Sequence, residues 1–249
     1  MAKFDGIFEI QGTVKGMTFY KTKDGLLVRS KGGISKKRMN TDPAFQRTRE
    51  NNSEFGHNAK MGQLMRKSVA GMMSLAKDNR VSSRVAQSMS LVKNLDLDSK
   101  RGERKVWIGI EGTEGKQVLK GFDFNVNAPF HSVFRGQYDL DTTMGVVSIS
   151  GFNPGSHLRI PQGATHASIS SAVTLIDFEM DDYQTAFSPK FNFPTTDGLL
   201  DLTLLVSALP TGTGVKFFYI LIEFFQELNG VQYPLKNNSH NVLYILDVM

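Results

Sequence analysis

The second part of the chain, residues 106–249, consists of short apolar segments separated by Gly, Asn, Pro and Asp, with no helical periodicity between them. Short strands without intervening helices favour an antiparallel sandwich or barrel. The expected fold class is therefore α+β and mainly β, with an antiparallel β-sandwich of Ig-like or jelly-roll type in this part. The predicted strands are 106–110, 117–124, 145–151, 156–161, 166–178, 199–206, 215–227, 231–235 and 241–248.

Two of these segments carry a more detailed prediction. Residues 167–175 alternate between apolar and small polar side chains, which is typical of a half-buried strand. Asn229 and Gly230 separate two apolar runs, and this dipeptide is the strongest short-range hairpin signal known.

The first forty residues predict a β-hairpin followed by a basic loop. Residues 14–30 hold two apolar runs around Lys23, Asp24 and Gly25, and an Asp-Gly pair suits the positive φ of a tight turn. Residues 31–38 have no apolar periodicity, so no regular structure is expected there.

Residues 41–98 predict a helical hairpin. Thr41 or Asp42 can cap a helix whose first position is Pro43. Its apolar stripe continues to residue 76, with an interruption expected at Gly56 or Gly62. A second helix is expected over residues 80–93. The predicted organisation is a basic arm (1–40), a helical hairpin (41–98) and a β-sandwich domain (99–249).

Charge is distributed unevenly along the chain. Residues 1–105 contain 22 Lys and Arg against 10 Asp and Glu, whereas residues 106–249 contain 7 against 14. A basic arm of this kind suits a polyanion or an acidic partner, including the acidic part of another copy. The alternative is that both charge sets are simply solvated surfaces.

Composition excludes several classes of protein. The chain has no Cys, which removes disulfide scaffolds, Cys-type zinc and iron–sulfur sites, and thiol catalysis. The longest apolar run, 217–225, is interrupted by Glu223 and is too short for a membrane span. The first residues lack the apolar segment of a secretory signal. We therefore expect a protein made in the cytoplasm that stays there or leaves in a released particle.

No catalytic or metal-binding pattern is complete. Residues 109–117 superficially resemble a phosphate-binding loop, but Ile110 and Gln117 occupy two required positions, and a β-turn is the better interpretation. The five histidines lack metal-ligand spacing. Asp177, Glu179 and Asp181–Asp182 form an acidic cluster that we expect to stay in water rather than bind Ca²⁺. No catalytic residue, metal or cofactor is predicted.

The candidate binding residues are basic and aromatic. Clustered cations suffice to neutralise phosphates or an acidic protein surface. The predicted partner-binding or polyanion-binding residues are Lys31, Lys36, Lys37, Arg38, Arg47, Arg49, Lys100, Arg101, Arg104 and Lys105. The predicted apolar assembly anchors are Phe19, Tyr20 and Val28.

Several motifs resemble a family of uncharacterised Bacteroidota proteins. The matching elements are Gly12-x-Val14-x-Gly16-x-x-Phe19-Tyr20, Gly25-x-x-Val28-Arg29, Thr41-Asp42-Pro43-x-x-Gln46-Arg47-x-Arg49, Gly102-Glu103-Arg104, Leu119-Lys120-Gly121-Phe122, Ile222-Glu223-Phe224-Phe225-Gln226-Glu227 and Val231-Gln232-Tyr233. The resemblance implies no activity. A basic N-terminal part before a β-rich domain is also analogous to viral and phage structural proteins.

The leading hypothesis is a non-enzymatic structural protein that self-assembles into an oligomer, filament or phage-like particle. The basic N-terminal segment would dock on a neighbour, by strand addition to an exposed sheet edge. The alternative is a non-specific nucleic-acid-binding protein that uses the same segment. A third hypothesis, a ligand-binding sandwich that uses loops within 125–165, has less support because the single Trp107 lies in a predicted strand.

Overall fold

The computed structural model describes residues 10–23, 25–30, 33–235 and 239–249, together with the backbone of residues 2–3. The chain divides into two compact units, Met1–Arg49 and Glu50–Met249, called here the N-terminal unit and the main unit. The boundary between them falls within a helix. The organisation predicted from the sequence, with boundaries at residues 40 and 98, stays a prediction.

The described residues form thirteen strands and eight helices. The strands are β1 Ala2–Lys3, β2 Gly12–Val14, β3 Met17–Thr22, β4 Gly25–Ser30, β5 Asp139–Asp141, β6 Val146–Phe152, β7 His166–Asp177, β8 Asp182–Phe187, β9 Phe191–Pro194, β10 Leu200–Leu205, β11 Val215–Leu228, β12 Val231–Pro234 and β13 Val242–Val248. The helices are α1 Lys36–Thr41, α2 Gln46–Ser68, α3 Ala70–Leu75, α4 Val81–Lys93, α5 Val106–Gly109, α6 Thr113–Leu119, α7 Phe130–Val133 and α8 Pro154–His157.

The N-terminal unit contains a four-stranded antiparallel sheet in the order β1-β4-β3-β2. The predicted hairpin is confirmed as β3 and β4, in which Thr22 lies opposite Gly25, and Gly25 has the positive φ (113°) that glycine tolerates. Asp24 of the predicted turn lies outside the described residues. The sequence did not predict β2, which pairs with β3 around the turn at Lys15 and Gly16.

The basic segment after the hairpin is not the unstructured loop predicted for residues 31–38. Ser35 caps α1 by accepting a hydrogen bond from the backbone N–H of Arg38, so the helix includes Lys36 and Lys37. A single capping side chain nucleates a six-residue helix that apolar periodicity cannot reveal. The predicted cap at Asp42 is confirmed: its side chain accepts from the N–H of Ala44, and Pro43 opens a short 3₁₀ turn before α2.

Helices α2 and α4 form the predicted helical hairpin. They run antiparallel, because Glu54 pairs with Lys93 at one end while Gly62 contacts Val85 further along. The predicted interruption at Gly56 or Gly62 is wrong, since α2 is continuous to Ser68. A Cβ on Gly62 would lie only 3.0 Å from Val85, so this glycine permits close helix packing rather than breaking the helix.

Residues 106–109 and 113–119 are helical, so the strand predicted over 106–110 is wrong. Of the strand predicted over 117–124, only the end is extended, where Asp123 forms an isolated bridge with Tyr244. Two close backbone approaches hold these helices together, one between α5 and α4 and one between α6 and α5. A Cβ on Gly109 would lie 2.1 Å from the carbonyl oxygen of Val92, and one on Gly115 would lie 2.0 Å from that of Gly109. Gly109 and Gly115 of the segment that resembled a phosphate-binding loop therefore serve helix packing, whereas nothing lies within 4 Å of the Cβ position of Gly112. The predicted turn is limited to residues 110–112, because α6 begins at Thr113.

The main unit contains two β-sheets. Three strands form the order β10-β6-β5, and six strands form a sheet in which β7 and β11 are the central pair. Strand β7 pairs with β8 and β9 on its other side, and β11 pairs with β12 and β13. The larger sheet curls into a half-barrel. Strands β5, β8 and β9 were not predicted.

Two local predictions in this region had opposite outcomes. The hairpin at Asn229 and Gly230 is confirmed, because both residues have positive φ (53° and 75°) and join β11 to β12. The strand predicted over 156–161 is wrong. There Asn153 caps the short helix α8 by accepting from the N–H of Ser156, and Pro154 occupies its first turn.

Two hydrophobic cores lie on opposite faces of the six-stranded sheet. Ala172 and Ile176 of β7 face the core formed with the helices, whereas Ile169 and Val173 face the core formed with α7, β6 and β10. Strand β7 is therefore buried on both faces, and the half-buried strand predicted from its alternation is wrong. The fold is mixed α and β with mostly antiparallel sheets. A sandwich of Ig-like or jelly-roll type stays a prediction.

Candidate interaction surface

The N-terminal sheet has one predominantly apolar face. Its register places Val14 opposite Met17 and Phe19 opposite Val28, and all four share a face because neighbouring partners in an antiparallel pair point to the same side. Tyr20 lies on the opposite face, where the guanidinium of Arg29 sits 5.5 Å from its ring centre. Of the predicted anchors, Phe19 and Val28 are thus brought together and Tyr20 is not.

No side chain described between residues 10 and 49 is buried. Val14 and Met17 are each 49% exposed. A small sheet gains independent stability only when a hydrophobic face is covered by another layer. The apolar face of this sheet therefore has the character of a contact surface.

The cations of the basic segment that follows this sheet differ in exposure. Lys36, Lys37 and Arg38 are exposed on α1, and Arg47 is exposed at the start of α2. Arg49 instead braces the segment. Its Nη1 donates to the backbone carbonyls of Met39 and Asp42, at 2.8 and 2.9 Å. Lys31 lies outside the described residues.

Asp42 holds this segment in shape. Its carboxylate accepts hydrogen bonds from the N–H of Ala44 and from Nε of Arg38, each at 3.0 Å. These contacts hold the pKa of Asp42 below its usual range, with the backbone N–H as the larger cause. The guanidinium of Arg38 also lies 5.8 Å from the ring centre of Phe45. The exposed cations are therefore displayed on an ordered helix rather than on a loop.

The second predicted basic cluster mainly holds the main unit together. Arg104 donates two hydrogen bonds of 2.8 Å to the buried carboxylate of Glu54, which also pairs with Lys93 and accepts from the N–H of Gly102. Burial opposes ionisation of Glu54, but the bonds from Arg104 and Lys93 outweigh it and lower its pKa to about 2. Arg104 is thus a structural clamp between α2, α4 and the loop before α5.

The other three residues of this cluster lie around the clamp. Arg101 donates to Asn51 at 3.1 Å. Lys105 lies 5.2 Å from the ring centre of Trp107, a cation–π distance, and Lys100 is exposed. The structure therefore groups Lys100, Arg101 and Lys105 around one loop, separate in sequence from the basic helix α1.

Sequence reasoning missed two residues that fix this loop. Asp96 accepts from the N–H groups of Asp98, Ser99 and Lys105, and although burial opposes ionisation these bonds hold its pKa below the usual range. Nε2 of His57 accepts from the N–H of Val106 at 2.9 Å, and burial lowers the pKa of His57 to about 4. No sequence signal marks either contact, because their partners depend on the folded path of the loop.

Two polar clusters of the main unit contain groups suited to acid–base chemistry. The buried carboxylate of Glu223 pairs with Lys190 at 2.5 Å and accepts from Ser168 at 3.3 Å. Nε2 of His131 lies 3.0 Å from the hydroxyl of Tyr244. In each cluster the polar atoms form hydrogen bonds or ion pairs with one another, which is typical of structural contacts between buried polar groups.

Asp123 belongs to the second cluster. It accepts from the N–H of Phe130 at 2.8 Å, and burial raises its pKa despite this bond. Its backbone carbonyl accepts from Arg84, whose guanidinium also lies 4.8 Å from the ring centre of Phe122. Asp123 therefore joins α4, the first residue of α7 and β13, where it forms a bridge with Tyr244.

The predicted acidic cluster surrounds the turn from β7 to β8. Asp177 accepts from the N–H groups of Glu179 and Met180 and from the hydroxyl of Thr213, and Asp181 pairs with Lys60. Within the described ranges, no group of three or more His, Asp or Glu side chains is placed to hold a metal ion.

No helix among the described residues is both long and apolar enough to cross a membrane. Comparison with protein-family models, with curated proteins and with solved structures finds no match to this chain.

Proposed function

We propose that this protein is a non-enzymatic structural protein that self-assembles into an oligomer, filament or phage-like particle. The N-terminal unit is the docking element, and the acidic part of another copy is the surface that receives it. The kinship with Bacteroidota proteins and the analogy with phage structural proteins belong to the same proposal.

One observation carries this proposal: the N-terminal sheet forms in a separate compact unit in which no described side chain is buried. Its apolar face includes Val14 and Met17, which are both half exposed. Covering such a face is the main favourable term available to a small sheet in water. A second protein surface that packs on the apolar face would bury these side chains.

Charge supports a second copy as the partner. Residues 1–49 contain 11 Lys and Arg against 4 Asp and Glu, and residues 106–249 contain 7 against 14. Opposite charge on the two docking surfaces speeds association and disfavours wrong partners.

The first test is light scattering coupled to size exclusion, at low and at high salt, after nuclease treatment. The wild type is expected to form a nuclease-resistant oligomer, and Val14→Glu is expected to weaken it because a carboxylate replaces an apolar contact. Leu199→Glu, at an exposed apolar position of the main unit (75% exposed), is the matched control and should assemble normally. A wild type that is monomeric in both salts overturns the proposal.

Non-specific nucleic-acid binding is the second candidate, favoured by the exposed cations of α1. Lys36 and Lys37 lie side by side on this helix, where they could contact phosphates without base recognition. Binding of this kind weakens steeply with salt. This candidate is favoured if the wild type is a monomer that carries bound material sensitive to nuclease and released by salt. The Lys36→Glu/Lys37→Glu variant should then carry none of this material.

A further inference from the structure

Two edge strands of the six-stranded sheet, β13 and β8, are protected to different degrees. Residues 121–124 cover the outer side of β13 through three backbone hydrogen bonds: Gly121 N–H to Ile245 O, Ile245 N–H to Phe122 O, and Phe124 N–H to Leu243 O. Strand β8 pairs with β7 on one side, and within the described part of the chain no strand pairs with its other side. The outer side of β13 is therefore covered, whereas that of β8 is open.

The open edge lacks the usual protection against strand addition. Natural edge strands are blocked by Lys, Pro, bulges or a covering segment. Strand β8 contains neither Lys nor Pro, and its register with β7 is regular over all six residues. Tyr183 and Phe187 are 39% and 46% exposed and project from the same face of the strand. A second strand can therefore pair with β8 and cover both rings.

The surroundings of β8 favour a basic partner strand. Asp182 begins the strand, Asp177 ends β7 opposite it, and Glu179 lies in the turn between them. A concave site of about 280 Å³ at this turn is lined by Asp177, Asp182, Met180 and Tyr183, among others. Carboxylates beside apolar side chains suit the long stem and charged head of a lysine.

The N-terminal sheet offers a strand with the matching pattern. Among the described strands, β2 is one edge of that sheet, and it ends just before the exposed Lys15 of the turn into β3. Antiparallel pairing would place the end of β2 beside the beginning of β8, and so Lys15 beside Asp182. Val14 and Met17 share one face of their sheet, as Tyr183 and Phe187 share one face of theirs.

We propose that β8 pairs antiparallel with β2 of a second copy. In this arrangement Lys15 of one copy lies at the acidic turn before β8 of the other, and the apolar faces of the two sheets form one continuous face. This inference rests on the proposed function and names its receiving surface. The contact joins two different surfaces, so repetition produces a ring if the rotation closes and a filament if it does not.

The test uses two full-length variants that each damage one side of the contact. Val14→Glu damages the arm, and Gln184→Lys places a charge on the exposed part of β8. Each alone is expected to raise the dissociation constant of assembly about tenfold or more. Mixed together they should form a complex that stops at two subunits, because the intact arm of one variant fits the intact edge of the other.

One control variant and one further edge variant test whether the effect is specific to β8. Thr203→Lys places the same charge at an exposed position of β10, an edge strand of the other sheet, and should assemble like the wild type. Phe187→Ser removes an exposed ring without adding charge and serves as a second edge variant. Circular dichroism and thermal unfolding verify that each variant is folded.

The outcomes separate this inference from the proposed function. A monomeric wild type overturns both. A wild type that assembles, together with folded Gln184→Lys and Phe187→Ser variants that assemble equally well, overturns the β8 acceptor alone. Assembly of Val14→Glu by itself would point to pairing of β8 with β8 and would likewise overturn the inference.

Discussion

The N-terminal sheet and the six-stranded sheet are built from similar strands but are buried to very different extents. Both are antiparallel and both contain tight hairpins. Yet no described side chain of the first is buried, whereas β7 has ten consecutive buried residues. The burial of a strand therefore depends on the layers that cover its sheet rather than on the strand itself, and β7 is covered on both faces.

Buried charge follows the same division. The main unit places Glu54 and Lys93 in its interior, where each is less than one tenth exposed, and it satisfies them with Arg104 and a backbone N–H. In the N-terminal unit, the charges described between residues 10 and 49 are all at least partly exposed. Substitutions in the main unit should consequently affect folding, and those on the N-terminal sheet should affect association.

The largest effect is expected from the buried ion pair. Glu54→Ala leaves Lys93 buried without its counter-ion, which should lower the free energy of unfolding by about 3–5 kcal/mol in denaturant titrations. Glu103→Ala, at an exposed position of the loop that Glu54 contacts, should change the free energy of unfolding by less than about 0.5 kcal/mol. Equal effects of the two substitutions would contradict the structural role of Glu54.

The next effect concerns close backbone contact between helices. Gly109→Ala forces a Cβ against the carbonyl of Val92 and should lower the free energy of unfolding by about 3 kcal/mol, the upper part of the range for overpacked cores. Gly112→Ala is the matched control, because nothing lies within 4 Å of its Cβ position. Similar melting temperatures for both variants would show that α5 does not pack on α4 as described.

A pair of identical substitutions tests the two sheets directly. Val173→Ala in β7 removes a buried side chain and should lower the free energy of unfolding by about 2 kcal/mol. Val14→Ala in β2 should change it by about 0.5 kcal/mol or less when measured on dissociated protein. If Val14→Ala matched Val173→Ala under those conditions, the N-terminal sheet would have a buried face of its own.

The smallest effect is a dependence on pH that belongs to the main unit. The folded protein keeps His57 neutral, with a pKa of about 4, so below the ordinary value near 6.5 the unfolded chain binds a proton that the folded chain does not. The free energy of unfolding should therefore fall by about 1–2 kcal/mol as the pH drops from 6.5 to 4. Burial causes this shift first, and the charges of Lys105 and Lys60 add to it.

A matched variant isolates that contribution. His57→Gln retains an acceptor for the N–H of Val106 but cannot be protonated in this range, so its stability should vary less between pH 6.5 and 4. An unchanged slope would exclude His57 as the cause. Below about pH 4.5 both proteins should lose further stability, because a carboxylate with a lowered pKa, Glu54, stabilises the fold only while it is ionised.

The sequence by itself determined the elements that local patterns encode. The β11–β12 hairpin follows from Asn229 and Gly230, the start of the helical region from Asp42 and Pro43, and α4 from its stripe of valines and methionine. It also indicated the basic N-terminal segment, of which α1 carries three exposed cations. Each of these signals lies within a few residues of the element that it predicts.

Tertiary structure decided the rest. Residues 106–109 form a helix because Gly109 fits against Val92, and the five-residue apolar run over 106–110 does not distinguish helix from strand. Arg104 holds the carboxylate of Glu54, which lies fifty positions away in sequence but within hydrogen-bond distance in the fold. A cation, an apolar face or a sheet edge can bind a partner only where the folded chain does not already cover it. Which groups are covered depends on residues that are distant in sequence, and composition does not contain that information.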